Sequence, residues 1–299
     1  GSLIGFNKVL DPQFDIRQAR APDMLKAYLL FAAVHRERGE GKKDEQLADK
    51  AIERMVQVNP DSARAFLIRG NYLRETNSAG SMEKRRERRK HAKESLQKAL
   101  ELDGEDIDIL LANAGLARQE KNYVLALEYL ERTQQISPED EQIYIDQAVT
   151  SRQNLNFKEG VAYLKKGFEI LPENTTLVME LFTAHLAADQ VDEARALIEV
   201  MQKMRIASEY IDLSEARLLM FEQRWSSALI RFADLRPRML AVSESSVAEI
   251  DALMARCYQN LGQWDQQLST SRRLLGAFPR SPAGLQAQAG SLMSLEKYD

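Results

Sequence analysis

An all-α fold of stacked helical units is what this sequence predicts, and three observations carry that reading. First, two stretches repeat the same residues at a constant offset. Ile107-Asp108-Ile109-Leu110, Asn122-Tyr123, Ala126-Leu127-Glu128-Tyr129-Leu130 and Ile136-Ser137-Pro138 are matched by Glu141-Gln142-Ile143-Tyr144, Asn156-Phe157, Gly160-Val161-Ala162-Tyr163-Leu164 and Ile170-Leu171-Pro172. The spacing is 34 for Pro138 to Pro172, for Tyr123 to Phe157 and for Leu130 to Leu164. A fixed period of this length marks supersecondary units that bury their apolar faces on their neighbours. Second, apolar residues fall at helical spacing, as at Leu25, Tyr28, Leu29, Ala32 and Ala33. Third, the chain has only 14 Gly and 8 Pro in 299 residues, so its periodic apolar positions argue against disorder.

Taken in order, residues 1–22 read as an irregular lead-in behind Gly1-Ser2, which looks like a cloning scar. Leu3, Ile4 and Phe6 could pack on the first repeat. A first helix is expected over Asp23 to Arg38, then the loop Gly39-Glu40-Gly41, then a helix from Asp44 to Val58 stopped by Asn59-Pro60. The second repeat opens at Ala63 and holds an insertion of ten residues around 77–91. Asn77-Ser78-Ala79-Gly80 reads as a loop, and the basic stretch from Lys84 should extend the following helix by about two to three turns, projecting as an arm. Repeats at 107–138, 141–172 and 175–206 follow without insertion. The next covers 209–240, and Trp225 to Trp264 is 39, so five extra residues lie around Ser243-Glu244-Ser245-Ser246. A seventh repeat spans 248–279, and an eighth begins at Pro282. Its Leu285, Ala289, Leu292 and Leu295 lack a second helix to cover them. The native chain is therefore expected to continue past Asp299, and fraying or self-association is expected at this end.

With those residues aligned, the chain resembles the tetratricopeptide repeat family over residues 23–299. The family pairs two antiparallel helices every 34 residues, with small residues at repeat positions 8 and 20 and Pro at 32. Position 8 reads Gly70, Ala114, Ala148, Phe182, Ala216, Ala255 and Ala289. Position 20 reads Ala48, Ala92, Ala126, Gly160, Ala194, Ala228 and Gln267. Small side chains there let the paired helices approach, and Pro after the second helix ends it. The departures are Phe182 in place of a small residue, Ile206 and Leu240 in place of Pro, and the polar Gln267 and Ser271 at packing positions, where looser or shifted pairs are expected. The resemblance implies an all-α, right-handed superhelical solenoid of about seven and a half repeats, forming one domain over 23–299.

Composition narrows the function classes. Net charge is −4, so the whole chain has no general nucleic-acid footprint. A single cysteine, Cys257, forms no intrachain disulfide and reads as a packing residue. No apolar run reaches the length needed to span a bilayer, so membrane contact would require segments beyond this chain. The compartment stays open, with the cytoplasm favoured and export allowed by a leader lost before residue 3. Phosphate-cradling glycine motifs are absent, and no cofactor is expected. His35, His91 and His185 fall in different repeats, and His185 with Asp189 makes only two candidate ligands. Glu139-Asp140-Glu141 reads as a helix start. Asn174-Thr175-Thr176 matches a glycosylation acceptor, which matters only for a chain secreted by a eukaryote. The basic run through Arg89 is first a solvated helix extension, with an acidic protein, an anionic membrane surface or RNA as candidate ligands. It lacks the interleaved aromatics that stack on bases.

The resemblance places the binding surface on the inner face, at positions 2, 5, 9 and 12 of each first helix. Position 5 carries an apolar stripe of Leu67, Leu111, Ile145, Met179 and Leu213. Position 9 includes Asn71 and Arg217, and position 12 sets Arg74, Arg118 and Arg152 in successive repeats. Guanidinium groups suit carboxylates, so the expected partner is an acidic, partly apolar protein segment lying in the groove. The stripe could instead pack between helices, with the arginines paired to Glu75, Asp108 or Asp146. The family's clamp for chaperone tails needs Lys at position 5 and Asn at 9. Asn71 fits, but Leu67 and Leu111 stand where Lys is required, so that role is not carried over. A non-catalytic protein-binding scaffold is the leading expectation, and a helical-repeat RNA binder the alternative.

Overall fold

The computed structural model describes residues 22–38, 42–75 and 81–295. The expected lead-in, the loops at Gly39-Glu40-Gly41 and Asn77 to Gly80, and Tyr298-Asp299 lie outside the described residues. Everything described is helix or short turn. The chain forms two compact units that meet in sequence between Asn154 and Leu155.

The first unit contains α1 (Pro22–Arg38), α2 (Lys42–Val58), α3 (Ala63–Glu75), α4 (Met82–Leu102), α5 (Ile107–Gln119), α6 (Tyr123–Ile136) and α7 (Glu141–Gln153). The second contains α8 (Phe157–Ile170), α9 (Thr175–Ala187), α10 (Val191–Lys203), α11 (Ser208–Phe221), α12 (Trp225–Leu240), α13 (Glu244–Asn260), α14 (Trp264–Ala277) and α15 (Pro282–Ser294). Within each unit, helices adjacent in sequence pack together.

Helix starts obey the capping chemistry readable in the sequence. Asp106, Asn122, Asp140, Asn174, Ser243 and Ser281 each accept a backbone N–H of the first turn they precede. Asn174, the glycosylation candidate, thus caps α9 through its side-chain oxygen, 2.9 Å from the Leu177 N–H. The turn inside each pair is also shared. Lys121, Leu155, Asp189, Gln223 and Gly262 occupy the same repeat position with φ of 59°, 60°, 59°, 59° and 68°. The residue that follows closes a six-residue return, as from Asn122 N–H to the Ala117 carbonyl and from Arg224 N–H to Leu219, both 2.9 Å. Only the last of these left-handed positions is glycine.

Close helix contact explains the small residues. A Cβ on Gly70 would lie 2.6 Å from the Leu96 side chain, so α3 and α4 meet at a distance only glycine permits. Ala126, Ala194, Ala216 and Ala228 are fully buried.

The departures from the repeat pattern have specific outcomes. Phe182 does not hold its pair apart; it is buried in the core with Val178, Ala194, Ile198 and Leu218. Gln267 and Ser271 are likewise buried, and Ser271 donates to the Leu268 carbonyl at 2.8 Å. With Leu240 in place of proline, α12 runs to 16 residues with Pro237 inside it, and α13 starts at Glu244 with 17 residues. The five inserted residues are therefore absorbed as helix. The missing proline at Ile206 has the opposite outcome: α10 stops at Lys203 and Ile206 packs on the core.

The largest correction concerns the basic arm. Helix α4 has 21 residues against 14 for α6, a two-turn extension as expected. It does not project. Arg88 is buried against α2, with Nη1 3.0 Å from Asp49 Oδ2. Tyr72 donates its hydroxyl to Asp49 at 2.7 Å, and Arg36 approaches the same carboxylate at 3.3 Å. Lys84 lies 3.5 Å from Glu45. Burial pulls the Asp49 carboxyl upward, but the bonds from Arg88 and Tyr72 and the charges of Arg88 and Arg36 hold it below its usual value. Tyr72, desolvated and bonded to this carboxylate, is pushed up to about 12.

Candidate inner-face binding site

In the first unit, two of the three inner-face arginines are engaged with neighbouring helices. Arg74 on α3 donates from Nη1 to the Ala112 carbonyl of α5 at 3.0 Å. Gly115 makes room for it: a Cβ there would sit 2.9 Å from that nitrogen. Burial, opposed by Glu75 and reinforced by Arg118, lowers the Arg74 pKa. Arg118 pairs across to Asp146 of α7 at 3.3 Å, one of the pairings foreseen for it. Arg152 is exposed on α7. Asn71 is half-buried, and its Oδ1 is buried without a hydrogen-bond partner among the described residues.

The apolar stripe divides. Leu67 is 3% exposed and packed with Leu96, Ile109 and Leu116, so it belongs to the helix stack. Leu111 and Ile145 are half-buried. In the second unit, Leu213 is buried with Ala216, Ala228 and Phe232, while Met179 is half-buried against the core of α9 and α10. For Leu67 and Leu213 the interior reading of the stripe therefore holds, because their side chains have no surface to offer.

The second unit keeps an open space on this face. A pocket of about 530 Å³ lies where the C-terminal halves of α9, α11 and α13 come together. Leu186 and Met220, both buried, form its floor. Phe221, 43% exposed, and the half-buried Trp225 and Leu253 form apolar walls. Arg217 enters from α11, where its Nη1 donates to Thr183 Oγ1 at 3.2 Å, its guanidinium stands 5.8 Å from the Phe182 ring centre, and Glu249 is 3.9 Å away. Arg256 and Asn260 are exposed at the α13 edge. Thr183, Leu186, Ala187, Arg217, Met220, Phe221, Arg256 and Asn260 of this lining stand at repeat positions 9, 12 and 13. Of the residues lining this pocket, Arg217 is among the candidates read from the sequence, whereas position 13 and the aromatic pair Phe221 and Trp225 are not. The usable signal was the 34-residue spacing of Ala187 and Phe221.

Other residues singled out in the sequence are structural. His185 is buried, bonded to Gln190 at 2.7 Å, and burial lowers its pKa against the opposing Gln190 bond. Cys257 is buried and its thiol is pushed up to about 12, so it is not a ready nucleophile. A group overlooked in the sequence is Asp251, 3% exposed, at the repeat position that normally takes Leu or an aromatic. Arg236 reaches it with two bonds at 2.8 and 3.0 Å and Arg273 at 2.6 Å, joining α12, α13 and α14. Burial would raise its pKa, but these two arginines bring it below the usual value.

The fold is that of tetratricopeptide repeat proteins. The chain superposes with a TM-score of 0.63 on a tetratricopeptide repeat protein from Parabacteroides merdae, at 12% identity, covering 90% of this chain and 98% of that one. The type IV pilus biogenesis factor PilW matches at 0.52 and 16% identity over 89% of this chain and 99% of its own. Cut9-Hcn1 of the APC/C matches at 0.52 and 12% identity over 96% of this chain and 57% of that chain. No family model matches the sequence. No curated protein does either.

Proposed function

We propose that this protein is a non-catalytic scaffold that binds an acidic, partly apolar segment of another protein along the inner faces of its first helices. The observation that carries the reading is the convergence of repeat position 9 from α9, α11 and α13, and of position 12 from α9 and α11, on one pocket with an apolar floor and two guanidinium groups at its sides. Small apolar-lined concavities with a few placed polar groups are where proteins take ligands. Exposed ion pairs contribute only about 0–1 kcal/mol each, so the apolar surface must supply most of the affinity and the arginines the choice of partner. The structure of Cut9 with Hcn1 offers a precedent for a protein partner on this fold.

The test uses exposed arginines. Wild type and an Arg152→Glu, Arg256→Glu variant are compared as baits in native extract at low salt, with and without nuclease treatment. At least a tenfold drop in recovered proteins, with unchanged circular dichroism, is the expected result. Equal recovery from both baits overturns the reading. Capture that depends on intact RNA and collapses steeply with salt would replace it with the RNA alternative.

A further inference from the structure

Resting on the interaction reading above, we propose that the pocket of the second unit accepts one large apolar side chain, aromatic or leucine, from an extended partner segment, with an adjacent carboxylate held by Arg256. The chemistry of the walls sets the first half. Leu186 and Met220 close the floor, so a side chain reaching it covers apolar surface, while the polar Thr183, Arg217 and Gln223 stand around it. Phe221 stands beside it with 43% of its surface in solvent, an apolar area that a bound ring would cover.

The second half comes from charge. Arg217 is positioned by Thr183 at 3.2 Å and has Glu249 at 3.9 Å, so part of its charge is answered within the protein. Arg256 is exposed, and among the described residues it has no carboxylate within ion-pair distance. A carboxylate beside the buried side chain meets Arg256 at the mouth, and Asn260 adds a donor on the same helix edge. A basic segment would set its charge against both arginines, which costs affinity and selects against it. The occupant is a peptide and not a free amphiphile because the space is bordered by three successive first helices, with half-buried Thr183 and Ala187 from α9, exposed Phe221 from α11 and exposed Arg256 from α13. It therefore opens along the direction an extended chain takes across the repeats.

The experiment selects ligands from a phage-displayed library of random dodecapeptides on the full chain. A parallel selection uses Ala187→Phe, which fills the pocket from the end of α9 without touching the core. Enriched sequences should carry Phe, Tyr, Trp or Leu within two residues of Asp or Glu, and enrichment should vanish on Ala187→Phe. Binding of an enriched peptide lacking Trp is then followed by Trp225 fluorescence in a Trp264→Phe background, where it is the remaining indole. Replacing the apolar residue by Ala should weaken binding at least tenfold, and Arg256→Glu should weaken it about fivefold or more. Absence of enrichment, enrichment that survives Ala187→Phe, or selection of basic peptides overturns the proposal, as does dodecanoate binding Trp225 more tightly than the best peptide. If the pocket variant still captures proteins that the arginine-substituted bait loses, the pocket assignment fails and the scaffold reading stands.

Discussion

Repeat positions 9 and 12 of the first helices place arginine differently in the two units. In the first, position 9 is Asn71, Gly115 and Val149, and position 12 is Arg74, Arg118 and Arg152. In the second, position 9 is Thr183, Arg217 and Arg256, and position 12 is Leu186, Met220 and Gln259. Moving an arginine by three residues keeps it on the same helix face but changes what it can reach. Arg74 lies over Gly115 and donates to the Ala112 carbonyl of the neighbouring first helix. Arg217 leans on Phe182 and Thr183, leaving Leu186 and Met220 as the floor of an open pocket. A shared fold therefore uses its inner-face arginines in one unit to join helices and in the other to border a cavity. The second unit holds its helices with a separate set of arginines, Arg236 and Arg273, on the buried Asp251.

That division of labour is broken most severely at Asp251. Asp251→Ala would strand two guanidinium groups beside a buried gap. Losing one partner of a buried pair costs about 3–5 kcal/mol. Arg236 and Arg273 still reach water, being 27% and 42% exposed, so about 2–3 kcal/mol is expected here. Urea unfolding with hydrogen exchange should locate the loss in α12, α13 and α14. The same site predicts the acid limb. The folded Asp251 carboxyl is held below its ordinary pKa, so the unfolded chain binds the proton more readily. Its contribution is complete above the unfolded value of about 3.9 and is lost as pH falls through the folded value. Asp251→Asn should flatten the stability profile below about pH 5, and an unchanged acid limb would show that the carboxylate is not ionised in the fold.

A smaller effect separates the two inner faces directly. Arg74→Ala removes a charged donor from the Ala112 carbonyl and opens space against Gly115, which should destabilise the first unit by about 1–2 kcal/mol. Arg256→Ala removes an exposed side chain and should stay within about 0.5 kcal/mol. Equal costs would erase the distinction between a structural and a free arginine.

How much of this was legible in the sequence follows from which residues act locally. The period of 34, the helix start at Asp140, and the small residues at Gly70 and Ala126 act within one pair, and each was readable. The fate of the basic run was not. Its composition says solvent, but Arg88 meets Asp49 of α2, a partner 39 residues away that spacing does not reveal. Position 5 misled for a related reason. A leucine facing the groove and a leucine between helices have the same periodicity, and only packing buries Leu67 while leaving Leu111 half-covered. The spacing set Arg74, Arg118 and Arg152 at one repeat position, but the Ala112 carbonyl to which Arg74 donates carries no sequence signal.

The smallest expected effect serves as the control for the whole comparison. If the units differ through positions 9 and 12, the turns that connect their helices should respond alike. Lys121 in the first unit and Gln223 in the second both have φ of 59° and are exposed. A non-glycine residue in this region costs about 1 kcal/mol. Glycine relieves that cost but adds conformational freedom to the unfolded chain, worth about 0.4–1 kcal/mol in the other direction. Lys121→Gly and Gln223→Gly should therefore each stabilise by no more than about 0.5 kcal/mol, measured as the urea midpoint at constant slope. Gln223 also borders the pocket, so the same variant tests whether its side chain contributes there. Because the closing bond from Arg224 N–H to the Leu219 carbonyl is a backbone bond, Gln223→Gly should leave the turn intact. A gain at Lys121 with a loss of more than about 1 kcal/mol at Gln223 would mean that the wall of the second unit's pocket depends on that turn side chain. The contrast between the two inner faces would then rest on the turns as well as on the arginines.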